Sequence, residues 1–358
     1  MKTPYSYNQF QEKKEIPNLD GLRALSIIAV LLHHTPSFEV PALAALQENG
    51  RLGVQLFFII SGFLICTLFI REQKANGSVS LYNFYIRRSL RLFPLYYLAL
   101  AITALLVFGF HLYTPENQQL FKDKLWSYIF YYSNMVPKAT EGPFFIAWSL
   151  AAEEQFYLFF GVLFAFTRPQ TVLGVIVALL LVKLAYMGLF IEVKHGIVSI
   201  VLNYQPAILM GVGLAFLFEN KAAYAVFRAI FGNSAMLGVV IICILVFFTL
   251  TIITELKPIE YALFLLMLTL FVGSVSLAGP LPILSWSSVK YIGKVSYGMY
   301  LLHMFAISAV KKMPLNPFIV FILAAIITIG LAALSYTFFE TPFLQLKKRF
   351  EVKRDLRK

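Results

Sequence analysis

The sequence predicts an all-α protein that crosses a membrane about ten times. Its 358 residues are 59% hydrophobic and only 13% charged, and the mean hydropathy is +0.76. Soluble domains are about 25% charged, so this composition excludes a soluble fold. An outer-membrane barrel would instead show alternating strands of about ten residues. The net charge of +12 does not indicate a nucleic-acid-binding protein, because membrane topology explains where the cations lie.

Ten apolar runs are candidate membrane-spanning helices. They cover residues 22–36, 52–70, 92–110, 145–166, 171–191, 197–218, 235–254, 258–278, 295–310 and 317–339. An even number of spans places both termini on one side, and the positive-inside rule makes that side the cytosol. We therefore expect a cytosolic segment at 1–16, a transmembrane domain at 17–345 and a basic cytosolic tail at 346–358.

The first span carries two ionisable side chains, Arg23 and His34. Eleven residues at about 100° each return to the same face of a helix, about 16 Å further along its axis. Ionisable groups inside a membrane are costly and indicate function. The pair predicts an anion held at the cytosolic end and proton chemistry deeper in the membrane. The adjacent His33 points about 100° away, and we expect it to face lipid or a packing neighbour.

A second segment, residues 82–97, reads YNFYIRRSLRLFPLYY and carries Arg88 and Arg91 on one helix face. One interpretation is a cytosolic amphipathic helix that lies on anionic lipid. The other is a phosphate clamp, because guanidinium groups bind phosphate through two parallel hydrogen bonds. Together with Arg23 on the same side of the membrane, the clamp would hold a nucleotide-like anion.

A third segment, residues 147–160, reads AWSLAAEEQFYLFF and places Glu153 and Glu154 in the outer part of the fourth span. Adjacent residues point about 100° apart, so at most one of them readily faces a shared interior site. One interpretation is that one or both carboxylates face the outer water. The other is that one carboxylate orients a histidine or takes a proton.

A fourth segment, residues 293–303, reads GKVSYGMYLLH and places Tyr300 and His303 on one helical stripe. His303 is expected at about mid-membrane, at a depth comparable to that of His34. A lone buried histidine is most often structural, but a second histidine at similar depth shifts the balance somewhat toward a functional role. A metal site is not predicted, because the sequence has no HExxH motif or close ligand cluster.

These segments resemble, in their order along the chain, the acyltransferase 3 family of integral membrane acyltransferases. The resemblance covers about residues 17–345. It rests on LDGLRALSIIAVLLHH at 19–34, GVQLFFIISGFLI at 53–65, FYIRRSLRLFPLYY at 84–97, WSLAAEEQFYLF at 148–159, GKVSYGMYLLH at 293–303 and FFETPF at 338–343.

The resemblance implies about ten helices, a cytosolic acyl-CoA donor and O-acylation of a carbohydrate-like acceptor, with acetyl as the expected acyl group. It also implies a bacterial cytoplasmic membrane. The chain is expected to be of the standalone type, without the fused periplasmic domain of many relatives. The functional positions of the family fall on Arg23 and His34 in the first motif, Arg88 and Arg91 in the third, and Glu153 in the fourth.

Both lines of reasoning predict a membrane O-acyltransferase with no permanently bound cofactor and acyl-CoA as co-substrate. The CoA phosphates are expected at Arg23, Arg88 and Arg91. His34 is expected to act as general base on the acceptor hydroxyl or as a covalent acyl carrier, and both routes stay open. Glu153 is expected to orient the imidazole, as carboxylates do in catalytic triads.

Supporting roles fall on four further side chains. Tyr300, Ser61 and backbone amides are alternatives for stabilising the oxyanion, while Ser61 also lies in an SGF segment that favours close helix packing. His303 and Glu154 complete the candidate set. Expected partners are acyl-CoA, a carbohydrate acceptor, which includes lipid-linked ones, and membrane lipids, with no nucleic acid.

The alternative function is a proton-coupled exporter of a glycan or small molecule. Ten helices with intramembrane Glu and His are typical of such transporters. That class predicts an inverted repeat, and residues 20–190 show no correspondence with residues 197–340. A structural membrane subunit is a third class, and it leaves the aligned Arg23 and His34 unexplained.

Overall fold

The structure is a computed structural model that describes residues 4–13, 15–188, 204–250 and 257–350. Every regular element within these ranges is helical. The α-helices are α1 Tyr7–Glu12, α2 Leu19–His34, α3 Pro41–Asn49, α4 Gly53–Asn76, α5 Leu81–Ala104, α6 Pro115–Ile129, α7 Ala147–Phe166, α8 Pro169–Gly188, α9 Pro206–Glu219, α10 Lys221–Phe231, α11 Ser234–Leu250, α12 Pro258–Leu277, α13 Pro282–Ser285, α14 Ser287–Val310, α15 Pro317–Leu334 and α16 Thr341–Lys347.

Six helical stretches among the described residues are long and apolar enough to cross a membrane, or seven if the bent pair α9 and α10 is one span. The chain is therefore an integral membrane protein, but the predicted count of about ten spans is not confirmed. The helices α2 and α11 are short, with 16 and 17 residues. The polar side chains of α14 reduce its hydropathy. The first part of the predicted span 197–218 lies outside the described residues.

The helix α5 is longer than the sequence predicts. It runs unbroken through Pro94 from Leu81 to Ala104, and a π-helical turn at Leu105–Gly109 extends it. The arginine segment 82–97 is therefore the beginning of a membrane helix, not a separate helix lying flat on lipid. The interior proline removes one backbone donor, which membrane helices tolerate when their surroundings compensate the freed carbonyl.

Several helices begin at side chains that cap free backbone N–H groups. Ser80 accepts from the amide of Asn83 before α5, and Thr114 accepts from that of Asn117 before α6. Asn220 caps α10, at a 106° bend between α9 and α10. Polar capping residues in an otherwise apolar sequence thus set the places where the chain turns.

The chain divides into two compact units. The first contains the described parts of residues 1–68, 173–191 and 206–332, and the second contains those of residues 69–172, 192–205 and 333–358. The first unit holds α2, most of α4, α9 to α14 and nearly all of α15. The second unit holds α5, α6, α7 and α16.

In the first unit, a buried asparagine fixes the beginning of α2. Asn18 adopts a left-handed conformation with φ of 63°, which asparagine tolerates better than most residues. Its Nδ2 donates to the carbonyls of Val275 and Gly279 at 2.9 and 3.2 Å. Its Oδ1 accepts from the amide of Leu281 and the hydroxyl of Ser285 at 3.1 and 3.2 Å. One amide side chain therefore joins α2 to the end of α12 and to α13.

Close backbone contacts at glycines bring the membrane helices of the first unit together. A Cβ at Gly293 would lie 1.8 Å from the carbonyl oxygen of Asp20. Near the other end of the same helix pair, Leu31 packs with Ile307 and Val310. The helices α2 and α14 therefore run parallel along their length, with a separation at Gly293 that excludes any larger residue.

The helices α4 and α9 make a reciprocal contact of the same kind. A Cβ at Gly62 would lie 2.0 Å from the carbonyl oxygen of Ile208, and one at Gly211 would lie 2.1 Å from that of Ile59. The SGF segment thus brings two helices into close contact, which confirms the packing role that its small residues predict.

Candidate active site

Two histidines from the parallel helices α2 and α14 meet in the first unit. The ring centroids of His34 and His303 lie 5.0 Å apart with an interplanar angle of 58°. His303 is fully buried and His34 is half-buried. The structure thus brings together the two histidines that the sequence places at similar depth.

The backbone fixes the tautomer of both rings. Nδ1 of His34 lies 2.8 Å from the carbonyl oxygen of Val30, and Nδ1 of His303 lies 2.6 Å from that of Tyr300. A carbonyl oxygen only accepts, so Nδ1 carries the proton in each ring and Nε2 of the neutral ring is a hydrogen-bond acceptor. An unprotonated Nε2 is the form that a general base requires.

His33 is a third imidazole in the same row, and the sequence reasoning did not group it with the others. Its ring centroid lies 5.0 Å from that of His34, nearly edge-on at 72°. Its Nδ1 lies 3.1 Å from the carbonyl oxygen of Gln47 in α3. The packing neighbours of His33 are therefore His34 and α3. The signal for this contact was the HH pair at the end of α2, where side chains 100° apart still touch.

Tyr300 lies beside the histidine pair. Its ring centroid is 5.7 Å from that of His303 and 6.4 Å from that of Phe57 in α4. Ser61 is one turn further along α4 and is buried. The structure thus gathers three of the predicted residues of this unit, His34, His303 and Tyr300.

Arg23 occupies the other end of α2, where the sequence predicts an anion site. Its Nη1 donates to Oδ1 of Asp20 at 3.0 Å, and 18% of its side chain is exposed. It lies eleven positions before His34 on an unbroken helix, which corresponds to a rise of about 16 Å. The single carboxylate contact leaves several of the five guanidinium N–H donors available to an anion.

In the second unit, Arg88 stacks on an aromatic ring of α7. Its Cζ lies 4.3 Å from the ring centroid of Tyr157, a cation–π contact. The hydroxyl of Tyr157 in turn donates to Oε1 of Glu153. Arg88, Tyr157 and Glu153 therefore form one polar chain across the faces of α5 and α7. The sequence reasoning missed Tyr157, which lies one helical turn after Glu153.

Glu154 is adjacent to Glu153 in the same unit, but it also has other neighbours. Its Oε1 is buried and accepts no hydrogen bond from the described part of the chain. Its carboxyl lies within electrostatic range of Arg88 and Glu153, and of the tyrosines at 96 and 97. The sequence predicts that at most one of the two carboxylates readily faces an interior site, whereas both have partners inside the protein: Tyr157 for Glu153 and Arg88 for Glu154.

Arg91 has a different carboxylate neighbour, Glu340. Glu340 is buried at the end of the π-helical turn Ser335–Glu340, and the hydroxyl of Ser335 donates to its Oε1 at 3.1 Å. The two arginines of the predicted clamp thus face different carboxylates. Glu340 lies in the FFETPF segment at 338–343, and no local spacing in the sequence connects this segment to Arg91.

In the second unit, part-buried polar contacts hold the connection between α6 and α7. The side chains of Gln155 and Asn134 exchange two hydrogen bonds, at 2.8 and 3.0 Å. The ammonium of Lys124 donates to the carbonyls of Lys138 and Glu141, and burial lowers its pKa. These contacts fix the connection between α6 and α7, which positions the beginning of α7 and its carboxylates.

Within the described ranges, no group of three or more His, Cys, Asp or Glu side chains is arranged to hold a metal ion. The three histidines 33, 34 and 303 form a row of aromatic contacts, with each Nδ1 bound to a backbone carbonyl.

Comparisons with known proteins agree with the motifs. The family model of acyltransferase 3, described as an acyltransferase domain, matches residues 16–337. The "Putative O-acetyltransferase SACOL0978" of Staphylococcus aureus strain COL is 30% identical over 96% of this chain and 59% of its own length. The peptidoglycan O-acetyltransferase OatA of Listeria monocytogenes is 28% identical over 92% of this chain and 56% of its own length.

The O-acetyltransferase OatA of Staphylococcus aureus strain NCTC 8325 is 29% identical over 91% of this chain and 57% of its own length. The chain thus spans less than two thirds of the length of these relatives. No solved structure matches the chain.

Proposed function

The chain belongs to the acyltransferase 3 family, and from this premise we propose that it is a membrane O-acyltransferase. The proposed reaction moves an acyl group, acetyl in the first instance, from cytosolic acyl-CoA to a hydroxyl of a cell-surface carbohydrate or a glycosylated metabolite. The printed name of the Listeria relative adds peptidoglycan to the acceptors worth testing first. We place the protein in a bacterial cytoplasmic membrane with both termini in the cytosol.

The observation that carries this proposal is the imidazole pair of α2 and α14. Val30 holds Nδ1 of His34, so that Nε2 is the nitrogen that takes a proton from an acceptor hydroxyl. In the transfer step the acceptor O–H bond breaks and its proton moves to His34. The acceptor oxygen bonds to the acyl carbon, the carbon–sulfur bond of the thioester breaks, and CoA leaves as a thiolate that finally takes the proton.

The donor end of the site is assigned to Arg23. A CoA phosphate at this guanidinium would place the donor's anionic end at the beginning of α2, while the thioester reaches toward His34 along about 16 Å of helix. Arg88 and Arg91 are proposed as further phosphate-binding cations. Their neighbours Glu154 and Glu340 do not exclude this role, because a guanidinium fork has five donors.

The role proposed for Glu153 is to orient the imidazole. The hydroxyl of Tyr157 donates to its Oε1, and the negative charge of the carboxylate would also stabilise the charged form of the imidazole. Tyr300 beside His303 and the buried Ser61 are proposed as supports for the developing oxyanion.

The test is transfer of label from acetyl-CoA in membranes that contain the protein, with host glycans as acceptors. His34→Ala is compared with wild type at matched expression, and His111→Ala, at an exposed histidine, serves as the control. Label that enters glycan with wild type and the control, but not with His34→Ala, supports the proposal. Equal labelling in all three would remove His34 from the reaction.

Two further measurements test which acyl group is transferred and whether His34 carries it covalently. Replacement of acetyl-CoA by succinyl-CoA tests the acyl group, and rapid acid-free quenching tests whether label stays on the protein, as covalent relay through His34 requires.

A tag after residue 358 tests topology. In intact cells it should resist external protease, and its cleavage would place the C-terminus outside.

A further inference from the structure

When both histidines are neutral, neither ring has an N–H left for a hydrogen bond between the two rings. Each Nδ1–H is donated to a carbonyl of its own helix, that of Val30 for His34 and that of Tyr300 for His303. Each neutral ring therefore presents an Nε2 lone pair, and two lone pairs repel. One added proton converts the repulsion into a charge-assisted hydrogen bond between a donor and an acceptor.

The acceptor side of such a bond is visible in the structure. Nε2 of His303 is buried and has no hydrogen-bond partner in the described part of the chain. A buried polar atom without a partner costs free energy, and such an atom calls for an explanation. The ring of His34 is in contact with the ring of His303, with 5.0 Å between their centroids.

We propose that His303 is the positioning residue of the reaction, whose Nε2 accepts a hydrogen bond from the imidazolium of His34. This inference rests on the proposed function and deepens it. When His34 has taken the proton of the acceptor hydroxyl, its Nδ1–H stays on Val30, and its new Nε2–H is shared between the acceptor oxygen and Nε2 of His303 in a three-centre hydrogen bond. The positive charge is then stabilised by a neutral imidazole at Nε2, whereas a catalytic triad stabilises it with a carboxylate at Nδ1.

The backbone holds the two rings in this relation. Because Gly293 of α14 lies against Asp20 of α2, the two helices cannot slide or separate without loss of their closest contact. Both Nδ1 atoms are bound to carbonyls of their own helices, so neither ring can rotate without breaking a hydrogen bond. This rigidity places the acceptor before the charge develops, which is what electrostatic preorganisation requires.

The surroundings limit the pair to one proton. The titratable neighbour on α2 is His33, whose ring also touches that of His34, and Tyr300 is the neighbour on α14. Beyond α2, Glu48 of α3 and Arg51 of the following turn act electrostatically on His33. A second positive ring would lie beside the first at contact distance, so the row accepts one charge at a time.

The test separates a positioning role from a structural one. His303→Leu removes the acceptor at similar volume, and His303→Gln restores an acceptor oxygen. We expect kcat of His303→Leu to fall by about 10- to 100-fold, the range of a lost charge-assisted hydrogen bond, with the KM for acetyl-CoA unchanged. The acidic limb of its kcat–pH profile should move to lower pH, because the imidazolium of His34 is less stable.

The conservative variant provides the rescue. His303→Gln should recover most of kcat and return the pH profile toward that of wild type, while His111→Gln, at the exposed histidine, should match wild type throughout. Equal losses in the Leu and Gln variants would show that His303 only fills space. A His303→Leu kcat within about twofold of wild type would also overturn the proposal.

A measurement on wild type without substrate covers the case in which His303→Leu does not fold. In ¹⁵N-histidine spectra of the purified protein, the signals of His34 and His303 should titrate together, because they share one proton. Independent titration of the two rings would refute the shared proton. If the rings titrate together but no glycan is labelled by wild type, the proposed function fails and the imidazole pair stands.

Discussion

Substitution of Gly293 by alanine tests the contact on which the histidine pair depends. The added methyl group would lie 1.8 Å from the carbonyl oxygen of Asp20, 2.5 Å from its carbonyl carbon and 2.9 Å from its Cα. All three atoms belong to the backbone of α2, so none can turn away as the end of a flexible side chain would. The two helices must therefore move apart.

The size of the movement follows from the contact distance. Real Cβ atoms do not approach other heavy atoms within 3.0 Å, so α2 and α14 must separate locally by about 1.2 Å, the difference between 3.0 and 1.8 Å. Overpacking of this kind costs about 1–3 kcal/mol of the free energy of unfolding. A misplacement of about 1 Å between catalytic groups costs on the order of 100-fold in rate.

The assay compares glycan labelling and thermal unfolding of Gly293→Ala with those of Gly330→Ala in α15. A Cβ at Gly330 meets nothing within 4 Å, so this control makes the same chemical change without a clash. We expect reduced kcat and reduced thermal stability in Gly293→Ala alone. If Gly293→Ala matched Gly330→Ala in both measurements, the close parallel packing of α2 and α14 would be wrong.

Three further predictions concern other parts of the site and its support. Asn18→Gly keeps the left-handed backbone but removes four hydrogen bonds, so it should lower the free energy of unfolding by about 2–4 kcal/mol, measured by thermal unfolding in detergent. Glu153→Gln should lower kcat more than Glu154→Gln, and the reverse order would transfer the proposed role to Glu154. Arg23→Ala and Arg88→Ala should each raise the KM for acetyl-CoA about tenfold, and unchanged values in both would refute the phosphate-binding role.

Matched controls are available for these variants. Asn233→Gly removes an exposed helix-capping contact and should cost only a few tenths of a kcal/mol. Arg168→Ala removes an exposed cation and should leave the KM for acetyl-CoA unchanged. A loss in Arg168→Ala equal to that of Arg23→Ala would mean that surface charge in general, not a specific site, attracts the donor.

The all-helical membrane fold and the similar depth of His34 and His303 could be predicted from the sequence, but their ring contact could not. Long apolar runs indicate helices, because backbone groups inside a bilayer must form their hydrogen bonds within the protein. Side chains at equal depth on two such helices lie at the same level of the membrane. The number of spans could not be predicted in the same way. Helices such as α2 and α14 are short or polar because protein neighbours surround them, so hydropathy alone does not decide whether they cross.

Side-chain partners in the second unit were less accessible to sequence reasoning. The electrostatic interaction between Arg91 and Glu340 joins residues almost 250 positions apart, and no local spacing predicts it. Tyr157, by contrast, lies at i+4 from Glu153, a spacing at which side chains on a helix meet. The hydrogen bond between Tyr157 and Glu153 could therefore be predicted from the sequence.

The docking of the N-terminal residues on α10 has a consequence for biosynthesis. Phe10 is buried against Phe218 and Tyr224, and the hydroxyl of Tyr7 donates to the carbonyl of Glu219, 212 residues later. This segment is synthesised long before α9 and α10, so these contacts form only once both helices are present. Docking of Phe10 is thus a late event in assembly, and a chain that stops before α9 lacks both rings that bury Phe10.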